Sequence, residues 1–122
     1  QGQLIVLLYD GLVRFLDIAL ENLPARKYDL VNENLLKAQD IITELTVSLN
    51  MEVGDFSRKL YNIYSFLNMK IIEGNLNKDP RPLEFVKKMA AELRDAWAQA
   101  SRSAQSGESR EARRDGGIDV AG

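Results

Sequence analysis

The sequence predicts an all-α protein: an antiparallel up-down four-helix bundle with a disordered polar C-terminal tail. Three observations carry this. Helix breakers are sparse, with proline only at Pro24, Pro80 and Pro82 and, between Gly2 and the tail, glycine only at Gly11, Gly54 and Gly74. Between the breakers, apolar residues step by three and four, the period of a helix with one buried face. The intervening segments are short, which favours antiparallel neighbours in a bundle.

The first helix is expected over residues 3–23. Leu4, Leu8, Leu12, Phe15 and Ala19 fall along one face, and Asp10 and Arg14 form an acid-first i, i+4 pair. Asn22-Leu-Pro24 ends it. The second is expected over 28–50, on the stripe Val31, Leu35, Ala38, Ile42, Leu45 and Leu49, with Glu33, Asn34, Lys37 and Glu44 on other faces. Residues 50–54 read as a turn.

The third is expected over 55–77, with Asp55 as its N-cap. Phe56, Leu60, Ile63, Leu67 and Ile71 make its stripe, Tyr64 and Phe66 widen it, and Tyr61, Met69, Ile72 and Leu76 take the opposite side. The fourth is expected over 82–101. Pro82 suits the first helical position, where its missing N–H would be unpaired anyway. Val86, Met89, Ala90, Leu93 and Trp97 form its buried stripe, and Glu84 and Lys88 form a second acid-first pair. Residues 1–101 are thus the bundle. Residues 102–122 are polar apart from Ala104, Ala112, Ile118, Val120 and Ala121, and burial there cannot offset the entropy of ordering the chain. Ile118 and Val120 leave the last few residues a means of docking.

Composition then excludes function classes. With 122 residues there is one domain, and 45% apolar residues suffice for a core. There is no cysteine and no histidine, which removes disulfides, thiolate sites, cysteine nucleophiles and the commonest general base and metal ligand. No Glu-x-x-His pair exists for a carboxylate-bridged metal site, and no Gly-x-x-x-x-Gly-Lys loop for a nucleotide. Neither a metal nor a cofactor is expected. A net charge of −2 and isolated basic pairs at Lys87-Lys88 and Arg113-Arg114 argue against nucleic acid. No apolar run approaches the roughly 20 residues that span a bilayer. The run at 4–9 stops at Asp10 and lacks the basic flank of a signal peptide. The chain opens at Gln1 rather than methionine, as it would if residues preceded it.

What remains is surplus apolar surface. Ile5 to Tyr9 are apolar in succession, and the third segment is apolar or aromatic nearly all round. Some of this is core. As a set it exceeds the stripe a bundle helix needs and suggests a groove suited to an amphipathic segment of a partner, with Met and Tyr adaptable at such surfaces.

These segments resemble one family in order and spacing across residues 3–100. Leu4-Ile-Val-Leu-Leu-Tyr-Asp-Gly-Leu-Val-Arg-Phe-Leu16 resembles the first helix of the flagellin-export chaperones called FliS. Lys37-Ala-Gln-Asp-Ile-Ile-Thr-Glu-Leu45 is similar to the family's second-helix signature, and Leu49-Asn-Met-Glu-Val-Gly54 to the turn after it. Leu60-Tyr-Asn-Ile-Tyr64 with Asn68 is similar to the third helix, and Leu93-Arg-Asp-Ala-Trp97 to the fourth. The resemblance implies a cytoplasmic helical bundle, not an enzyme. It implies binding of the disordered C-terminal region of flagellin, prevention of premature polymerisation, and delivery to the type III export gate, with gate components and co-chaperones as further partners.

Expected partner contacts, carried over by position, are Tyr9, Gln39, Ile42, Tyr61, Tyr64, Asn68 and Ile72. The tyrosines could equally be core residues, and Gln39 and Asn68 could bridge helices. Asp10 is expected to support packing through Arg14. Family members carry an upstream segment ending near a Thr-Pro that can fold over the groove. Gln1-Gly-Gln3 stands there in this sequence, so no residue is assigned a capping role. The polar tail is not a shared family feature. A helical domain that dimerises through the same groove is the alternative from another class.

Overall fold

The computed structural model describes the backbone of residues 2–121 and the side chains of residues 2–104 apart from Val53. The four expected helices are α1 (Gly2–Asn22), α2 (Tyr28–Val47), α3 (Asp55–Asn77) and α4 (Pro80–Ala121), with a 3₁₀ turn at Met51–Val53. They form a four-membered ring. α1 packs closely on α2 and α4, and α3 closes the ring with a looser fit to both. Cross-helix pairs give the directions. Asp10 and Asp17 of α1 meet Arg94 and Lys87 of α4, and Gln39 and Asn32 of α2 meet Asn68 and Asn75 of α3, so α1 runs antiparallel to α4 and α2 to α3.

The core confirms the stripe of α2 up to Leu45, leaves Met89, Leu93 and Trp97 of the expected α4 stripe half-buried while adding Leu83 to it, and rotates the stripe of α1. Val31, Leu35, Ala38, Ile42 and Leu45 of α2 are buried, as are Leu83, Val86 and Ala90 of α4. On α1 the buried face is Ile5, Tyr9, Leu12, Leu16 and Ala19, while Leu4 is exposed and Leu8 and Phe15 are half-buried. Five successive apolar residues leave the facing side ambiguous by period alone, and Tyr9 decides it by finding a buried partner. On α3, Leu60, Tyr64, Leu67 and Ile71 are buried and Phe56 is exposed.

Helix ends account for the boundary differences. α2 stops at Val47, where the Ser48 hydroxyl donates to the Leu45 carbonyl at 2.7 Å, three residues short of the expected end. The Asn50 side chain then accepts from the Glu52 N–H at 3.1 Å and starts the 3₁₀ turn. Gly54, at φ 107°, is the N-cap of α3, a conformation open to glycine alone. Asp55 is therefore the first helical residue rather than the cap, where its charge still favours the helix dipole. Lys78, left-handed at φ 49°, closes α3, and the Asp79 N–H returns to the Gly74 carbonyl at 3.0 Å.

α4 begins two residues earlier than expected. Asp79 accepts from the Arg81 N–H at 3.0 Å, which makes it the N-cap and Pro80 the first helical residue. Pro82 costs no helix bond at the third position, because the first four N–H groups have no partner within the helix. The backbone of α4 runs on to Ala121 instead of ending at 101. Four arginines and three alanines, good helix formers, fall in that stretch. The expectation of a disordered tail falls on residues whose side chains, from 105 on, lie outside the described ones.

Two expected pairs are replaced. Asp10 bonds Arg94 of α4 at 3.3 Å, while Arg14 lies over the Phe15 ring at 5.3 Å. No Glu84–Lys88 ion pair forms among the described residues, and the neighbouring Lys87 of α4 instead reaches Asp17 of α1. Both choices fasten α1 to α4.

Candidate functional site

The expected partner residues divide by depth. Tyr9 and Tyr64 project from the diagonal helices α1 and α3 and meet in the core, hydroxyl to hydroxyl at 2.6 Å, with ring centroids 6.4 Å apart. Tyr9 is fully buried, and Tyr64 is 2% exposed. Burial raises both phenol pKa values. For Tyr9 the hydrogen bond with Tyr64 adds to this, against a smaller opposing influence from Trp97. Ile42 is also buried, within the α2 stripe. These three side chains lie in the core of the bundle, and Tyr64 also borders a cavity at one end of it.

Gln39 and Asn68 are half-buried and bond each other across α2 and α3, Gln39 Nε2 donating at 3.0 Å. They bridge the helices, with their remaining polar valences at the rim. Tyr61 and Ile72 lie on the outer side of α3, 46% and 39% exposed.

Around these two the structure adds apolar residues that were not singled out as contacts. Leu76 continues their line, four residues beyond Ile72 on the same helix face, and is 79% exposed. Met69 stands beside it. Across the seam, Leu36 and Val47 of α2 are exposed as well. The signal for them was present in the sequence: Leu36, Val47, Met69 and Leu76 are apolar and lie off the stripes that fill the core. The result is a surface along the α2–α3 seam crossed by the Gln39–Asn68 and Asn75–Asn32 hydrogen bonds and flanked by exposed apolar side chains.

Other surfaces are open as well, among them one on α1, where Leu4 and Leu7 are exposed. Phe66 and Phe85 meet edge to face on the α3–α4 side with centroids 5.8 Å apart, and Lys70 lies over Phe66. At the end of the bundle where α1 and α3 begin, a cavity of about 310 Å³ is lined by Ile5, Leu49, Phe56, Leu60, Tyr64 and Trp97 among others.

Nothing in the described residues assembles a reactive centre. No cluster of three acidic side chains is placed to hold a metal ion among them. The carboxylate with a resolved perturbation, Asp79, is held below the usual range by Arg81 in a surface N-cap. No helix of the described residues is long and apolar enough to cross a membrane.

Comparison with known proteins fits this picture of a binding scaffold. The sequence profile of the family described as "Flagellar protein FliS" matches residues 1–104. The chain is 32% identical over 102 residues to the flagellar secretion chaperone FliS of Bacillus subtilis, covering 84% of this chain and 76% of that protein. It is 29% identical over 102 residues to that of Escherichia coli, covering 82% and 75%. It is 31% identical over 110 residues to that of Salmonella typhimurium, covering 88% and 82%. An all-helical bundle with apolar side chains left on its surface and no reactive cluster among its described residues therefore belongs to the FliS family of flagellar secretion chaperones, which are not enzymes.

Proposed function

We propose that this chain binds the C-terminal region of newly made flagellin in the bacterial cytosol, keeps it from polymerising, and aids its delivery to the type III export gate. Family membership supports the partner. The observation that carries the reading is the exposed apolar line Tyr61, Ile72 and Leu76 on α3, flanked by Leu36 across the seam with α2. A monomeric bundle gains nothing from leaving such side chains in water, whereas an amphipathic segment laid on that surface would cover them.

The action follows from competition. A segment that later packs into the filament carries apolar faces, and a chaperone that covers those faces blocks assembly without any chemistry. Folding of a disordered segment on binding costs ordering entropy, so a broad interface stays weak enough to release its cargo at the export gate. Titration with a synthetic peptide of the flagellin C-terminal region, followed by calorimetry and circular dichroism, tests this. Saturable one-to-one binding with a gain in helicity is expected. Absence of binding at micromolar concentrations overturns the reading.

A further inference from the structure

The α2–α3 seam carries a regular polar pattern. Two side-chain hydrogen bonds cross it, Gln39 Nε2 to Asn68 Oδ1 at 3.0 Å and Asn75 Nδ2 to Asn32 Oδ1 at 2.9 Å. From one bond to the other is a step of seven residues on both helices, 32 to 39 and 68 to 75, so a single antiparallel register relates them. Seven residues are close to two helical turns, which stacks the bonds along the seam about 10.5 Å apart. One further step in that register brings Thr46 opposite Tyr61. Midway between the two bonds fall Leu36 and Ile72, both exposed. The seam thus alternates polar rungs with an apolar step.

The rungs have hydrogen-bonding capacity to spare. A carboxamide offers two N–H donors and two acceptor lone pairs, and each bridge uses one donor and one acceptor. Among the described residues no buried side-chain nitrogen or oxygen lacks a partner, so the unused groups of Asn32, Gln39 and Asn68 open toward solvent at the seam.

We infer that the α2–α3 seam recognises a helix whose own carboxamide or hydroxyl side chains recur at every seventh position, seated over the rungs, with apolar side chains between them against Leu36 and Ile72. This rests on the flagellin-binding reading of the same surface and adds the pattern that the bound segment must carry. The rung spacing selects a helix over an extended chain. A strand rises about 3.3 Å per residue, so 10.5 Å takes about three residues, and a step of three puts successive side chains on opposite faces. A helix returns the same face after seven residues.

The rungs also fix the register. Apolar contact alone tolerates a slide along the seam by a turn. A slide that leaves carboxamides facing apolar side chains strands polar groups away from water and is penalised, as a buried asparagine penalises misregister in a coiled coil.

The test uses the full chain and a synthetic peptide of the flagellin C-terminal region from the source bacterium. Gln39→Leu/Asn68→Leu removes both members of one rung, so no orphaned group remains inside the bundle, and a urea midpoint checks folding. Asn32→Leu is the second variant and alters the outer rung without touching the central one. Each is expected to weaken peptide binding by about three- to tenfold by calorimetry, the worth of a net hydrogen bond. An alanine scan of the peptide is expected to pick out polar positions seven residues apart, with the effect at one of them abolished in the double variant. Equal or tighter binding by both variants, or sensitive peptide positions without seven-residue spacing, overturns the inference while leaving flagellin binding intact. Failure of the unaltered chain to bind the peptide overturns the flagellin reading, and this one with it.

Discussion

The Tyr9–Tyr64 hydroxyl pair gives a sharp quantitative expectation, because it decides whether two residues of the family signature serve the core or the partner. Tyr9→Phe keeps the ring and deletes one oxygen. The hydroxyl of Tyr64, a residue 2% exposed, then loses its partner at 2.6 Å. An unsatisfied buried polar group costs about 1–3 kcal/mol, and Tyr64→Phe should cost about the same for the mirror-image reason. Removing both hydroxyls leaves no orphan, so the double variant should lose far less than the sum, with a coupling of about 1–3 kcal/mol. For a chain of this size, each kcal/mol moves the thermal midpoint by about 4 °C. Urea unfolding followed by fluorescence of Trp97, the single tryptophan, measures all four corners of the cycle. Binding of the flagellin peptide below the unfolding transition should stay within twofold throughout. Additive losses would refute the pairing. Lost binding with unchanged stability would place the tyrosines at the partner interface after all.

The two glycines at helix crossings should respond in opposite senses. In Gly74→Ala the new methyl would stand 2.6 Å from Leu83 Cδ2, 2.7 Å from Leu83 Cγ and 3.2 Å from the Asp79 carbonyl, so overpacking should outweigh the gain in helix propensity and cost about 1–2 kcal/mol. In Gly11→Ala the close atom is the Ile41 Cδ1 methyl at 2.9 Å, the free end of a flexible side chain, and denaturant unfolding should show a gain of up to about 1 kcal/mol. The raised phenol pKa values set an alkaline limit. The tyrosines ionise near pH 10 when unfolded but resist ionising when folded, so stability present below pH 10 should fall above it by up to about 1.4 kcal/mol per pH unit for each, and the double phenylalanine variant should lack this component in urea titrations. Arg94→Ala removes the half-exposed bond to Asp10 at 3.3 Å and should cost less than about 1 kcal/mol, shrinking as salt is added.

Much of the fold was legible because α2 and α3 declare themselves. The α2 stripe from Val31 to Leu45 is buried as its spacing predicts, and α3 occupies Asp55–Asn77 as expected from the breakers around it. Legibility failed where local chemistry competes with period. The run Leu4 to Tyr9 is apolar on every side, so its facing was fixed only by the tyrosine that Tyr9 meets 55 residues away. The start of α4 turned on Asp79, whose capping role is invisible until its carboxylate is seen on the Arg81 N–H. Asp10 and Asp17 took tertiary partners on α4, which no helix-local rule anticipates. At the site, sequence placed the apolar surplus on the outer face of α3 correctly. It could not separate Tyr61 from Tyr64, three residues apart, because only packing against α1 makes one core and the other surface.

The central claim is that the outer α2–α3 surface, rather than the core beneath it, holds the flagellin segment. Calorimetric titration of Ile72→Asp/Leu76→Asp with the flagellin C-terminal peptide, alongside the unaltered chain, tests it most directly. Both side chains are exposed, so the unfolding free energy should change by no more than about 1 kcal/mol. The account predicts at least tenfold weaker binding at that nearly unchanged stability. Binding equal to that of the unaltered chain would contradict it.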